Sequence, residues 1–320
     1  MDHYYIAWWN VENLFDTVDS RDRPEWLQRR LNRELTGWDD AILDRKITQL
    51  SQIIRQMNQG QGPDVLGICE VENRPVMQRL VSSLQDLGRD YGTAHHETDD
   101  NRGIDVGFIY DRQKFGLEMK FTHVVLKRQA TRDLFQINLR THSGRDLILV
   151  GNHWPSRLGG VLESEPYRIV AGETLAYWMS RILEEKGPEV AVIVMGDFND
   201  EPFNRSITDY ALSSNNQTRV TNAHIPRLYN LMWPFLAQGI ASFYYGNVPY
   251  LLDQFMVSRG LLRSNRRFDI EPDSVQIKMF TEMISGGAYP NPIRFGRPAS
   301  GLNTDGFSDH YPIAMVLTER

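Results

Sequence analysis

Five short segments end an apolar run on residues that can bind a cation or move a proton. They are Trp8-Trp9-Asn10-Val11-Glu12-Asn13, Ile68-Cys69-Glu70-Val71-Glu72-Asn73 and Leu149-Val150-Gly151-Asn152-His153, then Val194-Met195-Gly196-Asp197-Phe198-Asn199-Asp200 and Phe307-Ser308-Asp309-His310-Tyr311-Pro312. An acid or amide at the end of a buried strand can face a shared cleft on a rigid support. A carboxylate there is costly to desolvate unless a cation or donor meets it, so several gathered together imply a metal ion. Singly, each has an ordinary explanation. Asn10 suits a turn cap, Glu70 an exposed strand end, Asp197 a surface turn, and Asp309-His310 a surface pair. The ordered set carries more than any member.

The pattern of apolar residues supplies the elements that would position these groups. Residues 3–10 alternate as a strand does, and Asp64 to Val71 is a near-continuous apolar run that suits a strand covered on both faces. Ile42, Leu43, Ile47, Leu50, Ile53, Ile54 and Met57 recur at helical spacing over 39–58, with Asp39 as N-cap. Further helices are expected over 73–87, over 164–186 with Pro166 in the first turn, and over 202–213. Strands are expected over 104–110, 119–126, 134–140, 146–151, 191–195, 240–245, 250–257 and 311–317. Buried strands alternating with helices in both halves suit two packed sheets with helices outside, an α/β sandwich. Residues 284–306 are too rich in Gly and Pro for regular structure, and a loop of that length is usually functional or mobile. No linker interrupts the pattern, so residues 1–320 read as a single domain.

Composition closes off other classes. The 320 residues carry 35 basic and 41 acidic side chains, a net charge of −6 that speaks against coating of nucleic acid. No apolar run approaches the length of a membrane span, and a single cysteine, Cys69, excludes an internal disulfide. Cys69 reads as a small buried hydrophobe. No signal peptide is visible at the N-terminus, which leaves the cytoplasm as the default.

Taken in order, the segments resemble the endonuclease/exonuclease/phosphatase superfamily, the deoxyribonuclease I-like fold, in its bacterial form. The matching pieces are W-N-V-E-N-L-F at 9–15, D-V-L-G-I-C-E-V-E-N at 64–73, R-G-I-D-V-G-F at 102–108, N-H-W-P-S-R at 152–157, G-D-F-N-D at 196–200, L-L-D-Q-F-M-V at 251–257 and S-D-H-Y-P-I at 308–313. The resemblance implies two packed mixed β-sheets flanked by helices, a four-layer α/β sandwich. It also implies Mg2+ as cofactor, with Mn2+ or Ca2+ as alternatives, held by Glu70 with Asn10 beside it and Asp309 as a further contact. By the same resemblance Asp197 and Asn199 contact the attacked phosphate and its water, and His310 binds or protonates phosphoryl oxygens, with Asp309 available to orient it. His153 is the second histidine, Asp253 the acid that supports His153, and Arg102 a phosphate contact. Gln254 departs from the family, which more often has Tyr after the acid.

The chemistry suits phosphodiester hydrolysis, in which charge accumulates on oxygens already anionic. A hard cation on oxygen ligands offsets it, and histidines donate to it or move protons. Asp197, His153 and His310 all remain candidates for the group that activates water. The expectation is a monomeric, Mg2+-dependent phosphodiesterase acting on DNA or RNA without stable membrane association. The alternative is a phosphatase or phosphodiesterase for an inositol phosphate, sphingomyelin or similar substrate, for which W-P-F-L at 233–236 is the only short candidate for an exposed apolar hairpin. Nucleic acid is favoured by Arg259, Arg263, Arg266, Arg267, Lys278, Arg294 and Arg297, a basic stretch near Tyr244, Tyr245, Tyr250, Tyr289 and Phe295, since aromatics amid positive charge can stack bases. Arg157, close to His153, would line the phosphate path.

Overall fold

The computed structural model describes residues 2–128, 130–263 and 267–320. The long first strand, β1 (His3–Leu14), shows the alternation that organises the molecule. Tyr4, Ile6 and Trp8 enter one hydrophobic cluster, while Tyr5, Ala7, Trp9 and Val11 enter another on the opposite face. Both faces are covered, so the strand is buried almost throughout.

β1 lies between β2 (Val65–Val71), to which it is parallel, and β18 (Ile313–Glu319), to which it is antiparallel. β4 (Asp105–Asp111) and β3 (Tyr91–His95) extend this first sheet on one side, and β14 (Phe268–Ile270) and β15 (Gln276–Ile277) pair with β18 on the other. The second sheet runs β5 (Phe115–His123), β6 (Leu134–Thr141), β7 (Asp146–His153), β8 (Ala191–Asp197), β13 (Asp253–Val257), β10 (Leu228–Asn230), β9 (Ser213–Ser214). β7 and β8 are parallel, and most other neighbours are antiparallel. Two hairpins stand apart: β11 (Phe243–Tyr245) with β12 (Val248–Tyr250), and β16 (Gly296–Arg297) with β17 (Gly301–Leu302).

The two large sheets face one another across Trp8, Phe108, Phe135, Leu149, Met195, Phe255 and Met315. The outer face of the first sheet is covered by α2 (Asp40–Gly60) and α3 (Arg74–Ser82), that of the second by α4 (Val161–Lys186). This is the expected four-layer arrangement. Asp39 caps α2 by accepting from the Ile42 amide at 3.0 Å. Three shorter helices, α1 (Glu25–Leu31), α5 (Gln217–Thr221) and α6 (Trp233–Gln238), lie in the connections.

Several expected elements come out differently. Helix 73–87 stops at Ser82, and only a single 3-10 turn follows at Gln85–Leu87. The strand expected over 119–126 is Phe115–His123, because Phe115 reaches the inter-sheet core. α4 begins at Val161, so Pro166 lies beyond its first turn; the Arg168 guanidinium donates to the Val161 carbonyl at 2.9 Å in this opening stretch. The short helix expected over 202–213 is confined to Ser206–Tyr210 and is a π-helix, not an α-helix. The 284–306 loop contains the small β16–β17 hairpin, and Phe295 is buried against Trp38. Within W-P-F-L, Phe235 and Leu236 pack against the inter-sheet core, so that segment is not an exposed hairpin. No described helix is long and apolar enough to cross a membrane.

Candidate active site

The sheets meet along a rim where the ends of β1, β2, β7, β8 and β13 converge with the segment before β18. Register places three site residues side by side in the second sheet: His153 pairs with Asp197, and Asp197 pairs with Asp253. Gly196 permits this closeness, because a Cβ at that position would lie 2.4 Å from the Asn152 carbonyl oxygen.

The first sheet delivers its residues by breaking register. The ladder of β2 with β4 shifts between Cys69 and Val71, and Glu70 sits in that bulge with φ of 65°. Left-handed backbone is costly for a residue with a side chain, about 1–3 kcal/mol, and it clusters where function holds it. The bulge turns the Glu70 carboxylate into the rim, where a regular strand would alternate past it. A second irregularity after Asn10 places Glu12 and Asn13 at φ of 49° and 55°. The Asn13 amide then donates to Glu70 Oε2 at 3.0 Å, and the Glu12 amide to Asn10 Oδ1 at 3.0 Å.

Three hydrogen bonds link the sheets at this rim. Asn10 Nδ2 donates to Asp197 Oδ2 at 3.0 Å, and Trp8 Nε1 donates to Asp253 Oδ1 at 3.1 Å. The third joins His310 Nδ1 to Asp253 Oδ2 at 2.6 Å. Asp253 therefore supports His310 and not His153, which corrects the sequence expectation. The physical reason is packing: sheet docking brings His310 over the start of β13, while Nδ1 of His153 has no hydrogen-bond partner among the described residues. Asp309 is not the orienting acid either, since its Oδ1 stands 4.0 Å from the far nitrogen of the ring. Trp9 Nε1 donates to the His310 carbonyl at 2.9 Å, Ser308 Oγ accepts from the His310 amide at 3.1 Å, and Phe243 stacks at 4.7 Å between centroids.

Both histidines face the same oxygen. Nε2 of His153 and Nε2 of His310 each lie 3.8 Å from Asp197 Oδ2, and His153 Nε2 is also 3.8 Å from Glu70 Oε1. Their surroundings push their pKa values in opposite directions. Burial lowers the His310 pKa, but Asp253 and Asp197 outweigh it and hold the ring well above the usual histidine value. Burial, Arg132, Arg102 and His310 all push His153 well below it. Burial, reinforced by Asp253, pushes Asp197 up to about 6 against His310 and the donors Asn199 and Asn10. Burial opposes ionisation of Glu70 too, yet Arg102, His310, Arg132 and the Asn13 amide win and hold it low. Burial, with Glu12 and Glu70, pushes Asp309 up to about 7.

Arg102 donates to both Glu70 oxygens, at 3.3 and 3.4 Å, and to Asn13 Oδ1 at 3.0 Å. Arg157 is engaged otherwise than expected. Its Nε donates to the Asn199 carbonyl at 2.7 Å and its Nη2 to Asp200 and Asn204, so it braces the loop that carries Asp197. Asn199 has φ of 49°, its amide donates to Asp197 Oδ1 at 2.9 Å, and its side-chain NH2 donates to the Trp154 carbonyl at 3.1 Å. Trp8, Ser242, Ser308 and Arg132 escaped the sequence reading. Trp8 and Ser308 lie within the five segments, whereas Ser242, whose Oγ accepts from the Asp253 amide at 3.0 Å, and Arg132, which donates to the carbonyls of His153 and Trp154, lie in none.

The basic stretch does not form one surface. Arg259 and Arg263 pair with Glu189, two residues before β8 begins. Asp197 ends that strand, which runs roughly 20 Å from Ala191 at about 3.3 Å per residue. Arg297 pairs with Glu34, and Arg294 reaches the rim through Glu12 at 3.0 Å. Arg266 lies outside the described residues.

The donor set is one of hard oxygens: the carboxylates of Glu70 and Asp309 with the amide of Asn10. Among the described residues no group of three or more His, Cys, Asp or Glu side chains is placed to hold a metal ion by itself. Mg2+ characteristically takes one or two carboxylates and completes its shell with water and phosphate oxygens. Asp309 is raised first by burial and then by Glu12 and Glu70, and a dication would offset both the desolvation and the negative charge there.

The model of the Endonuclease/Exonuclease/phosphatase family matches residues 5–319. No curated protein matches the chain by sequence. Among solved structures, the human Nocturnin catalytic domain with bound sulfate anion is similar at 16% identity and a TM-score of 0.59, covering 99% of this chain and 95% of that one. A humanized D. rerio TDP2 carrying 14 mutations is similar at 13% identity and 0.58, over 99% of each chain. An endonuclease/exonuclease/phosphatase from Bacteroides vulgatus is similar at 13% identity and 0.55, over 100% of each. At these identities the likeness is one of fold.

Proposed function

Because this chain belongs to the endonuclease/exonuclease/phosphatase family, we propose that it is a divalent-metal-dependent phosphodiesterase that cleaves nucleic acid. The observation that carries the reading is a pair of histidines, one from each sheet, whose Nε2 atoms both lie 3.8 Å from the same buried Asp197 oxygen. Phosphodiester cleavage needs groups that donate to growing negative charge and groups that accept or share a proton, and Asp253 beside His310 favours the first role for that ring.

Asp197 is the base we assign to the attacking water, since a carboxylate titrating near 6 is mostly ionised at neutral pH and still basic enough to take a proton. Asn10 Nδ2 and the Asn199 amide hold it in place. His310, kept charged by Asp253, donates from Nε2 to a phosphoryl oxygen. His153 orients the same phosphate while neutral. Glu70, Asn10 and Asp309 would hold the metal ion, most simply Mg2+, which supplies Lewis-acid stabilisation of charge on the phosphate. Arg102 secures the Glu70 carboxylate.

A lipid substrate is the second reading, favoured by one observation. Leu126, Leu158 and Leu162 are 77–84% exposed. Leu158 and Leu162 follow Trp154, and Arg132 ties the loop of Leu126 to the same stretch. The test is a panel of plasmid DNA, single strands, RNA, phosphoinositides and sphingomyelin with Mg2+, Mn2+ and Ca2+, run beside thermal unfolding with each ion. We expect cleavage of nucleic acid, and a metal-induced rise in Tm that Glu70→Gln abolishes. Turnover confined to lipids or small phosphates would refute the nuclease reading, and an unshifted Tm would refute the metal assignment.

A further inference from the structure

We propose that the β11–β12 hairpin is a base-stacking ledge that continues the active-site face outward, with Tyr245 as its open platform. The inference rests on the nuclease reading above. The strands are joined by the two-residue turn Gly246-Asn247, both at positive φ (56° and 67°), which is the geometry of a tight hairpin. Phe243 pairs with Tyr250 and Tyr245 with Val248. Directly opposed residues, and those two apart, share a face, so these four side chains line one side.

That side is the catalytic one at its root. Phe243 bridges to His310, with its ring 4.7 Å from the imidazole. The Arg157 guanidinium lies 5.3 Å from the Tyr250 ring centre and bonds the carbonyl of Asn199. The other face is spent on the protein: Tyr244 packs edge-on to Tyr311. Tyr245 is 74% exposed and Val248 50%, although nothing in the core needs them. At about 3.3 Å per residue, Tyr245 stands roughly 7 Å beyond Phe243 along the strand, where the base next to a phosphate on His310 would lie. The tip is anchored as well. Asn291 Nδ2, in the long Gly- and Pro-rich loop, donates to Asn247 Oδ1 at 2.7 Å. A flat, anchored aromatic beside the proposed phosphate site suits a base, whose face stacks without regard to sequence.

The experiment compares two single-stranded oligonucleotides of equal length, one bearing normal bases and one with abasic spacers around the cleavage point. Wild type, Tyr245→Ala and Tyr245→Phe are assayed on both with added Mg2+. Stacking of one base predicts that Tyr245→Ala loses about tenfold in kcat/KM on the base-bearing strand, mainly through KM. Tyr245→Phe should match wild type there, and all three should cleave the abasic strand alike. Undiminished cleavage of the base-bearing strand by Tyr245→Ala, or an equal loss on both strands, overturns the ledge and leaves the nuclease reading standing. If wild type cleaves neither strand but hydrolyses lipid or small phosphates, the nuclease reading fails and the ledge with it.

Discussion

His310 and His153 approach one carboxylate oxygen from opposite sheets at the same distance, 3.8 Å, yet their surroundings differ in kind. His310 is clasped: an acid on Nδ1, a serine on its amide, a tryptophan on its carbonyl and a phenyl ring on its face. His153 has the Arg132 guanidinium near its carbonyl, and its Nδ1 has no hydrogen-bond partner among the described residues. Both are almost wholly buried, so desolvation alone would neutralise both. What separates them is the charge around each ring: Asp253, and after it Asp197, offset burial at His310, whereas Arg132 and Arg102 add to burial at His153.

Breaking the clasp should have the largest effect. Asp253→Asn, His310→Ala and Asp197→Asn should each lower kcat by about a hundredfold or more, the scale of losing one electrostatic contact to the transition state. The circular dichroism spectrum should not change. Asp253 and His310 act as a unit, so the double variant should lose little beyond either single one. Additive losses in steady-state rates would show that Asp253 acts independently of the ring. His153→Ala should cost less, about tenfold, as expected of an uncharged hydrogen bond. A larger loss at His153 than at His310 would invert the comparison.

The smallest effect is on stability and reads both rings together. His310, raised in the folded state, contributes stability that is full below 6.5 and is lost as pH rises through its folded value. His153, lowered, contributes stability present above 6.5 and lost as pH falls through its folded value. Urea midpoints across pH should therefore decline on both sides. Asp253→Asn should flatten the alkaline limb and leave the acid limb intact. An alkaline limb unchanged by that substitution would remove Asp253 as the source of the charge.

Much of this site was legible in the sequence because its parts are local. A buried strand that ends in Glu70, or a Gly196-Asp197 pair after Val194, is written in consecutive residues, and the two-sheet sandwich follows from periods of 2 and 3.6. Contacts between sheets were not legible. Nothing near Asp253 says which histidine it meets, because docking decides that across 57 residues of chain. The bulge at Glu70 is equally silent, since register exists only relative to β4. The basic stretch misled for the same reason: charges close in sequence dispersed to the two ends of the fold, and Arg157 was drawn into bracing its own loop.

The inter-sheet bonds at the rim also bear on when the site can exist. β1 is closed on one side by β18, and the Asp253 carboxylate meets a ring from the segment just before that strand. Before that segment docks, the second sheet can carry His153, Asp197 and Asp253 in register and still lack the imidazole that bridges them to the first sheet. Competence therefore comes only when the segment that carries Ser308 and His310 closes against the second sheet.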